Sequence, residues 1–195
     1  MPASDNCGTV PFEVHESMVG KKSKPPRAPT AKAWTHVRAG PGGAESAMVD
    51  VSAKAVTQRE ATASAVVCFP AGLLQELLDG RGPKGPLTEV ARVAGILAAK
   101  NTGQLIPMCH PLAIDAIEVN FSPLDDLRLE VRCRVACTGR TGVEMEALVG
   151  ASMAALTVYD MSKARAHGIE IESVRLLEKR GGRSGHWVHP RGEPS

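Results

Sequence analysis

Aromatic residues are scarce, making up 3% of the 195 residues, with a single Tyr and three Phe. Modules that read RNA on a sheet surface need flat rings for bases to stack on, so this chain is poorly supplied for that role. Charge of either sign is scarce in excess: 23 Lys and Arg face 21 Asp and Glu, for a formal charge of +2. No broad field is left to hold a polyanion through counterion release, and no nucleic-acid partner is expected. Long apolar runs are missing too. No window reaches the roughly 18–20 apolar residues of a membrane span, and the N-terminus shows no basic-then-apolar signal pattern. No membrane association is expected, and the reading is cytoplasmic. Paired C-x-x-C spacing is also absent. The five cysteines, Cys7, Cys68, Cys109, Cys133 and Cys137, are odd in number and mostly lie among apolar neighbours, as small hydrophobes in a reducing compartment do.

The length suits one compact domain with some excess, since single domains usually run to about 100–200 residues. The excess lies at the ends. Residues 1–47 are rich in Pro, Gly, Ser and Lys (Lys21, Lys22, Lys24, Pro25, Pro26, Arg27, Pro29) and show no hydrophobic periodicity, so a disordered tail is expected there. A targeting or docking element is the alternative. Residues 48–185 read as the globular domain and 186–195 as a C-terminal tail.

Within the domain, residues 59–69 alternate small and apolar positions (Ala61, Ala63, Ala65, Val67, Phe69) as a half-buried strand does. Pro70 opens a short amphipathic helix over 71–78 that Gly80 stops. A second helix is predicted over 86–100, with Val90, Val93, Ala94 and Leu97 on one stripe. Two strands, 116–121 and 127–137, flank a turn around Asp125 and Asp126. Residues 142–166 read as a helix that is apolar nearly all round, and so buried between layers or between subunits. A last strand is predicted over 169–177. The order strand, helices, strand, strand, helix, strand matches an α+β fold of the ferredoxin-like, split β-α-β kind, an antiparallel sheet packed against helices.

Several side chains invite chemistry. Lys84 sits in a Gly-Pro-Lys-Gly-Pro loop before a helix that opens with Pro86, where free N–H groups and the helix dipole favour a phosphate; a solvated loop lysine is the plain alternative. His110 lies between Pro107 and Pro111 in a stiff segment beside Cys109. A metal site would need three or four ligands at recognisable spacing, and no second His or Cys partner is near, so no metal is assigned. Glu144 and Glu146 open the long helix. Thr141 to Glu144 has capping-box spacing, but a second carboxylate so close raises the proton affinity of one of the two, which suits acid–base work or a guanine-like N–H edge. Asp160 and Lys163 are three apart on the same helix, either a structural ion pair or an acid–base couple. Glu146 and Asp160 are fourteen residues apart, about 20 Å along a helix at ~1.5 Å per residue. One small reacting centre cannot touch both from a single helix, so the substrate is long or the site is completed across a subunit interface. Lys179, Arg180 and Arg183, with the Gly-Gly-Arg-Ser-Gly run, offer cations and flexible amides for phosphates, without P-loop spacing.

Taken together these segments resemble the cyclic pyranopterin monophosphate synthase family, also called molybdenum cofactor biosynthesis protein C. The likeness rests on MVDVS (48–52), KG (84–85), ARVAGI (91–96), CHPL (109–112), TGRTGVEMEA (138–147), ALTVYDM (155–161) with KA (163–164), and RLL (175–177) through Gly185. Pro86 stands where an acidic residue usually follows, and Met108 replaces a more usual Leu. The resemblance implies a ferredoxin-like protomer in a homohexamer, a trimer of dimers with active sites at subunit contacts. It implies a lyase that converts a cyclised dihydro-GTP, made by an upstream radical enzyme, to cyclic pyranopterin monophosphate and pyrophosphate. Transient contact with that upstream enzyme is implied as well. Asp160, Lys163 and Lys84 are implied as catalytic residues, and Met108, Cys109, His110, Glu144, Met145, Glu146 and Arg59 as substrate-site residues. The chemistry needs proton transfers and a displacement at phosphorus, so no cofactor is expected. A non-catalytic nucleotide-binding or regulatory α+β module is the competing reading, and a metal hydrolase built on His110 the second.

Overall fold

The computed structural model describes residues 37–80, 85–183 and 185–190. In chain order the elements are β1 (Val37–Gly40), β2 (Gly43–Ser46), β3 (Thr57–Cys68), α1 (Leu73–Leu78), α2 (Leu87–Lys100), α3 (Thr102–Leu105), β4 (Ala116–Pro123), β5 (Arg128–Gly139), α4 (Glu144–Ser162), β6 (Glu170–Arg180) and β7 (Trp187–Val188). The fold is α+β. Strands β4-β5-β3-β6-β7 form one sheet in that order, every neighbouring pair antiparallel.

Alternation along the strands decides which face is covered. Ala61, Ala63, Ala65 and Val67 of β3 and Leu129, Val131, Cys133 and Val135 of β5 are fully buried, and they join Ala147, Ala151, Ala154, Ala155 and Val158 of α4 in one apolar cluster. Burial pushes the Cys133 thiol up to about 12, so it packs as a small hydrophobe. The other face carries Thr62, Ser64 and Val66 opposite Arg134, Arg132 and Glu130, with ion pairs from Arg132 to Glu130 at 2.6 Å and from Arg134 to Glu60 and Glu118.

Helices α2 and α4 pack unusually close because both present glycine at the crossing. A Cβ on Gly95 would lie 2.9 Å from the Gly150 carbonyl oxygen, and one on Gly150 would lie 2.5 Å from Cys133 Sγ. Arg92 of α2 clips the pair to the sheet, donating to the Val119 carbonyl of β4 and lying 5.5 Å over the Phe121 ring.

Of the two burials its composition suggested, between layers or between subunits, the single chain supplies the first to one side of the long helix. Small residues face the sheet and α2, while Met145, Met153 and Leu156 stay exposed on the outer side. The Thr141–Glu144 capping box does not form: the helix starts at Glu144, so Val143, which has no polar side chain, takes the N-cap, and the Glu144 carboxylate pairs with Lys179. Three short features had no counterpart in the sequence reading. The β1–β2 hairpin lies within the stretch read as tail, β7 pairs with β6 beyond residue 185, and α3 follows α2 after Asn101.

Candidate functional site

The register brings three chain segments to one end of the sheet. Thr57 and Arg59, opening β3, stand opposite Gly139 and Cys137 at the close of β5, and Glu60 stands opposite Arg180 at the close of β6. Only residues 140–143 separate β5 from α4, so the first turn of that helix, with Glu144 and Glu146, must start over the same end.

A basin of about 1360 Å³ opens there. Lys54, Arg59, Arg140, Lys179, Arg180 and Arg183 line it against only Glu60 and Glu144, with the Gly181 and Gly182 backbone on one wall. That excess of cations over one concavity attracts a polyanion. A second cavity, about 270 Å³, adjoins it and shares Val49, Lys54, Thr141, Gly142 and Glu144. Its remaining wall holds Met108, Cys109, His110, Met145 and Glu146.

The side chains are held by their neighbours. Arg59 reaches across from β3, its Nε and Nη2 each 3.4 Å from the carbonyls of Gly139 and Arg140. Glu144 is paired with Lys179 at 2.7 Å. Glu146 is only 4% exposed and, among the described residues, makes no ion pair. Burial, then the nearby Glu144 carboxylate, pushes its proton affinity up, against a pull the other way from its own backbone N–H. Of these two carboxylates, two residues apart in the first turn of α4, Glu144 is ion-paired and Glu146 is inclined to carry a proton. Burial, then Glu146, also raises the Cys109 thiol, which keeps it protonated.

His110 Nε2 lies 2.8 Å from the Val49 carbonyl oxygen. A carbonyl only accepts, so Nε2 carries the proton and Nδ1 is the nitrogen left to accept one. The segment supplying that carbonyl is itself fixed, since the Ser52 amide donates to Asp50 at 2.8 Å. That bond holds the Asp50 carboxyl below its ordinary range.

Seven of the sequence-derived candidates thus meet around the paired cavities: Arg59, Met108, Cys109, His110, Glu144, Met145 and Glu146. Asp160 and Lys163 do not. They form an ion pair at 2.7 Å near the other end of α4, with more than half of each side chain exposed, whereas the composition of the helix had suggested buried charges. Val158, Met161 and Ser162 take the inward side of that last turn and leave Asp160 and Lys163 the outward stripe. The pairing raises the Lys163 ammonium, through its hydrogen bond to Asp160 first. Lys84 lies outside the described residues. Sequence reasoning gave no site role to Lys54, Arg140 or the Val49 carbonyl, and left Lys179 among general phosphate cations; the MVDVS and TGRTG segments were the signals available. Among the described residues no group of three or more His, Cys, Asp and Glu side chains gathers as metal ligands would.

A family model described as the MoaC family matches residues 48–182. The chain belongs to the MoaC family. The MoaC-family span takes in both cavities from Val49 to Gly182 and the distal Asp160–Lys163 pair. A curated relative in Novosphingobium aromaticivorans, named cyclic pyranopterin monophosphate synthase, is 50% identical over 145 residues, covering 74% of this chain and 92% of the relative. Among the described residues, no helix is long and apolar enough to cross a membrane.

Proposed function

We propose that the chain is a lyase of molybdenum cofactor biosynthesis that converts a cyclised dihydro-GTP to cyclic pyranopterin monophosphate with release of pyrophosphate. The observation that carries this is the joining of two unlike cavities at Glu144: a wide basin lined by cations and a small pocket lined by Glu146, His110 and Cys109. A nucleoside triphosphate has the same division, a long polyanion attached to a compact ring system.

In this reading the phosphates occupy the basin, where Arg59, Lys54 and Arg140 neutralise charge as pyrophosphate departs. The ring system enters the smaller pocket. A ribose hydroxyl attacks the innermost phosphorus, its proton passes to a base, and the bond to the leaving pyrophosphate breaks. Ring opening and reclosure need a group that both gives and takes a proton. Glu146, with its raised affinity, suits that task, and His110 presents Nδ1 as an acceptor. Every step is a proton transfer or a displacement, so the reading calls for no redox cofactor.

Asp160, Lys163 and Lys84 are assigned as catalytic residues, and Asp160 and Lys163 as delivered by a neighbouring subunit. The distance of Asp160 and Lys163 from the cavities within one chain supports an interface-completed site, in keeping with a homohexamer of three dimers. The strand order β4-β5-β3-β6, with a helix after β3 and another after β5, supports the ferredoxin-like assignment. A cytoplasmic enzyme with transient contact to the upstream radical enzyme completes the proposal; residues 1–36 of the stretch read as a tail lie outside the described residues.

The test is direct. Purified protein is incubated with cyclised dihydro-GTP, and pyrophosphate and pyranopterin are followed by mass spectrometry, with Lys163→Ala as the folded comparison. Product from the unaltered protein alone supports both the reaction and the role of Lys163. Substrate bound but unchanged would leave a non-catalytic nucleotide-binding module.

A further inference from the structure

Strand β6 ends at Arg180, and the next two residues turn back over the start of β3 with left-handed backbones, φ +98 at Gly181 and +70 at Gly182. The turn is closed by hydrogen bonds from the Gly181 amide to the Gly185 carbonyl at 3.0 Å and from the Gly185 amide to the Gly182 carbonyl at 3.2 Å. What the two glycines approach differs. A Cβ on Gly181 would run into the Gln58 carbonyl oxygen, a backbone atom that cannot yield. A Cβ on Gly182 would run into Arg59 Nη1 and lie 2.6 Å from Cζ. The Arg59 guanidinium is therefore braced on two sides, by the carbonyls of Gly139 and Arg140 and by the bare backbone of Gly182.

We propose that Gly182 is a positioning residue, whose missing side chain lets the turn after β6 lie against the Arg59 guanidinium and hold that cation toward the phosphate basin. This rests on reading the basin as the phosphate site. Gly181 fixes the path of the turn; Gly182 fixes the cation. Any side chain at Gly182 meets the movable end of Arg59, not backbone, so the turn survives and the guanidinium is displaced. Gly72, at the N-cap of α1 and outside both cavities, offers an internal comparison. It too is left-handed, φ +80, but nothing lies within 4 Å of a Cβ there. Gly72→Ala thus carries the backbone strain of an L residue without the steric displacement.

The experiment is calorimetric titration of the full-length protein with inorganic pyrophosphate. Gly182→Ala is expected to bind pyrophosphate about tenfold more weakly, the loss of one charge-assisted contact, while Gly72→Ala binds as the unaltered protein does. Because the effect acts through Arg59, adding Gly182→Ala to Arg59→Ala should cost nothing further. A purely structural role would lower the thermal midpoint and leave this dependence on Arg59 absent. Should alanine unfold the turn, Gly182→Asn carries the same test, since Asn tolerates a positive φ. Unchanged pyrophosphate affinity in Gly182→Ala, or an equal loss with Arg59 absent, overturns the role of Gly182 alone. Failure of the unaltered protein to bind pyrophosphate overturns the basin reading and this inference with it.

Discussion

Lys179 holds its ammonium 2.7 Å from the Glu144 carboxylate and so ties the end of β6 to the first turn of α4. The side chains are 30% and 29% exposed, and the pair spans the basin that both line. A half-wet ion pair of this kind contributes about 0–1 kcal/mol to stability. Its weight falls on the site, where it holds the Glu144 carboxylate against a cation of the basin.

Lys179→Met should therefore separate activity from folding. The thermal midpoint is expected to drop by no more than about 4 °C, the equivalent of ~1 kcal/mol for a chain of this size. The value of kcat/KM is expected to fall at least about tenfold, because one cation leaves the basin and Glu144 loses its partner. Activity loss that merely follows a collapsed midpoint would assign the pair to folding.

Glu146 gives a pH signature. Its folded proton affinity is raised above the ordinary value of 4.5, by burial first and Glu144 second. From 4.5 up to the raised value the native state binds more protons than the unfolded chain, so stability falls as pH rises through that window, and the full cost persists above it. Glu146→Gln has no charge to desolvate. It is expected to melt higher than the unaltered protein at about pH 7, with the gain vanishing below about pH 4.5, and to lose turnover throughout. Scanning calorimetry across that range decides the matter: a gain that does not depend on pH sinks the linkage.

The close crossing of α2 and α4 makes a third expectation. Gly150→Ala gains about 1 kcal/mol of helix propensity. Against that, its Cβ would stand 2.5 Å from Cys133 Sγ and 3.3 Å from the Ala99 Cβ, and overpacking of this kind costs about 1–3 kcal/mol. A lower midpoint is expected. Cys133→Ala removes the sulfur in the way, so the double variant should be more stable than the sum of the single changes implies. Additive denaturant midpoints would show that some other contact limits the crossing.

The sequence carried the long elements because their signals were local and repeated. Ala61, Ala63, Ala65 and Val67 alternate, and β3 is where the alternation is. The hairpin at Val37–Ser46 and the two-residue β7 gave no such run; they are short strands defined by a partner, and pairing is a non-local fact. Which side of α4 faces the sheet was not legible for a related reason. Composition counts Met145, Met153 and Leu156 as apolar, but only packing reveals that Ala and Gly take the inward positions. At the site, residue types were legible and partners were not. Glu144 suited a cap by spacing, yet its partner Lys179 lies 35 residues on and meets it only through the sheet. The Val49 carbonyl, which orients His110 from 61 residues away, has no side-chain identity to read.

The separation of Asp160 and Lys163 from both cavities sets the last expectation. Within one chain Asp160 and Glu146 are fourteen residues apart on the helix, about 20 Å at ~1.5 Å per residue. If both ends act on one substrate too short to span that length, the Asp160–Lys163 end must come from another subunit, and a closed oligomer supplies that arrangement at every copy of the interface. Glu146→Gln and Lys163→Ala should each be inactive alone. Co-assembled in equal amounts, they should regain about one quarter of the unaltered activity, the chance that an interface joins an intact Glu146 to an intact Lys163. Two affinity tags isolate the mixed oligomers before assay. Mixed oligomers that form and stay inactive would confine each site to one chain and remove Lys163 from the chemistry at Glu146.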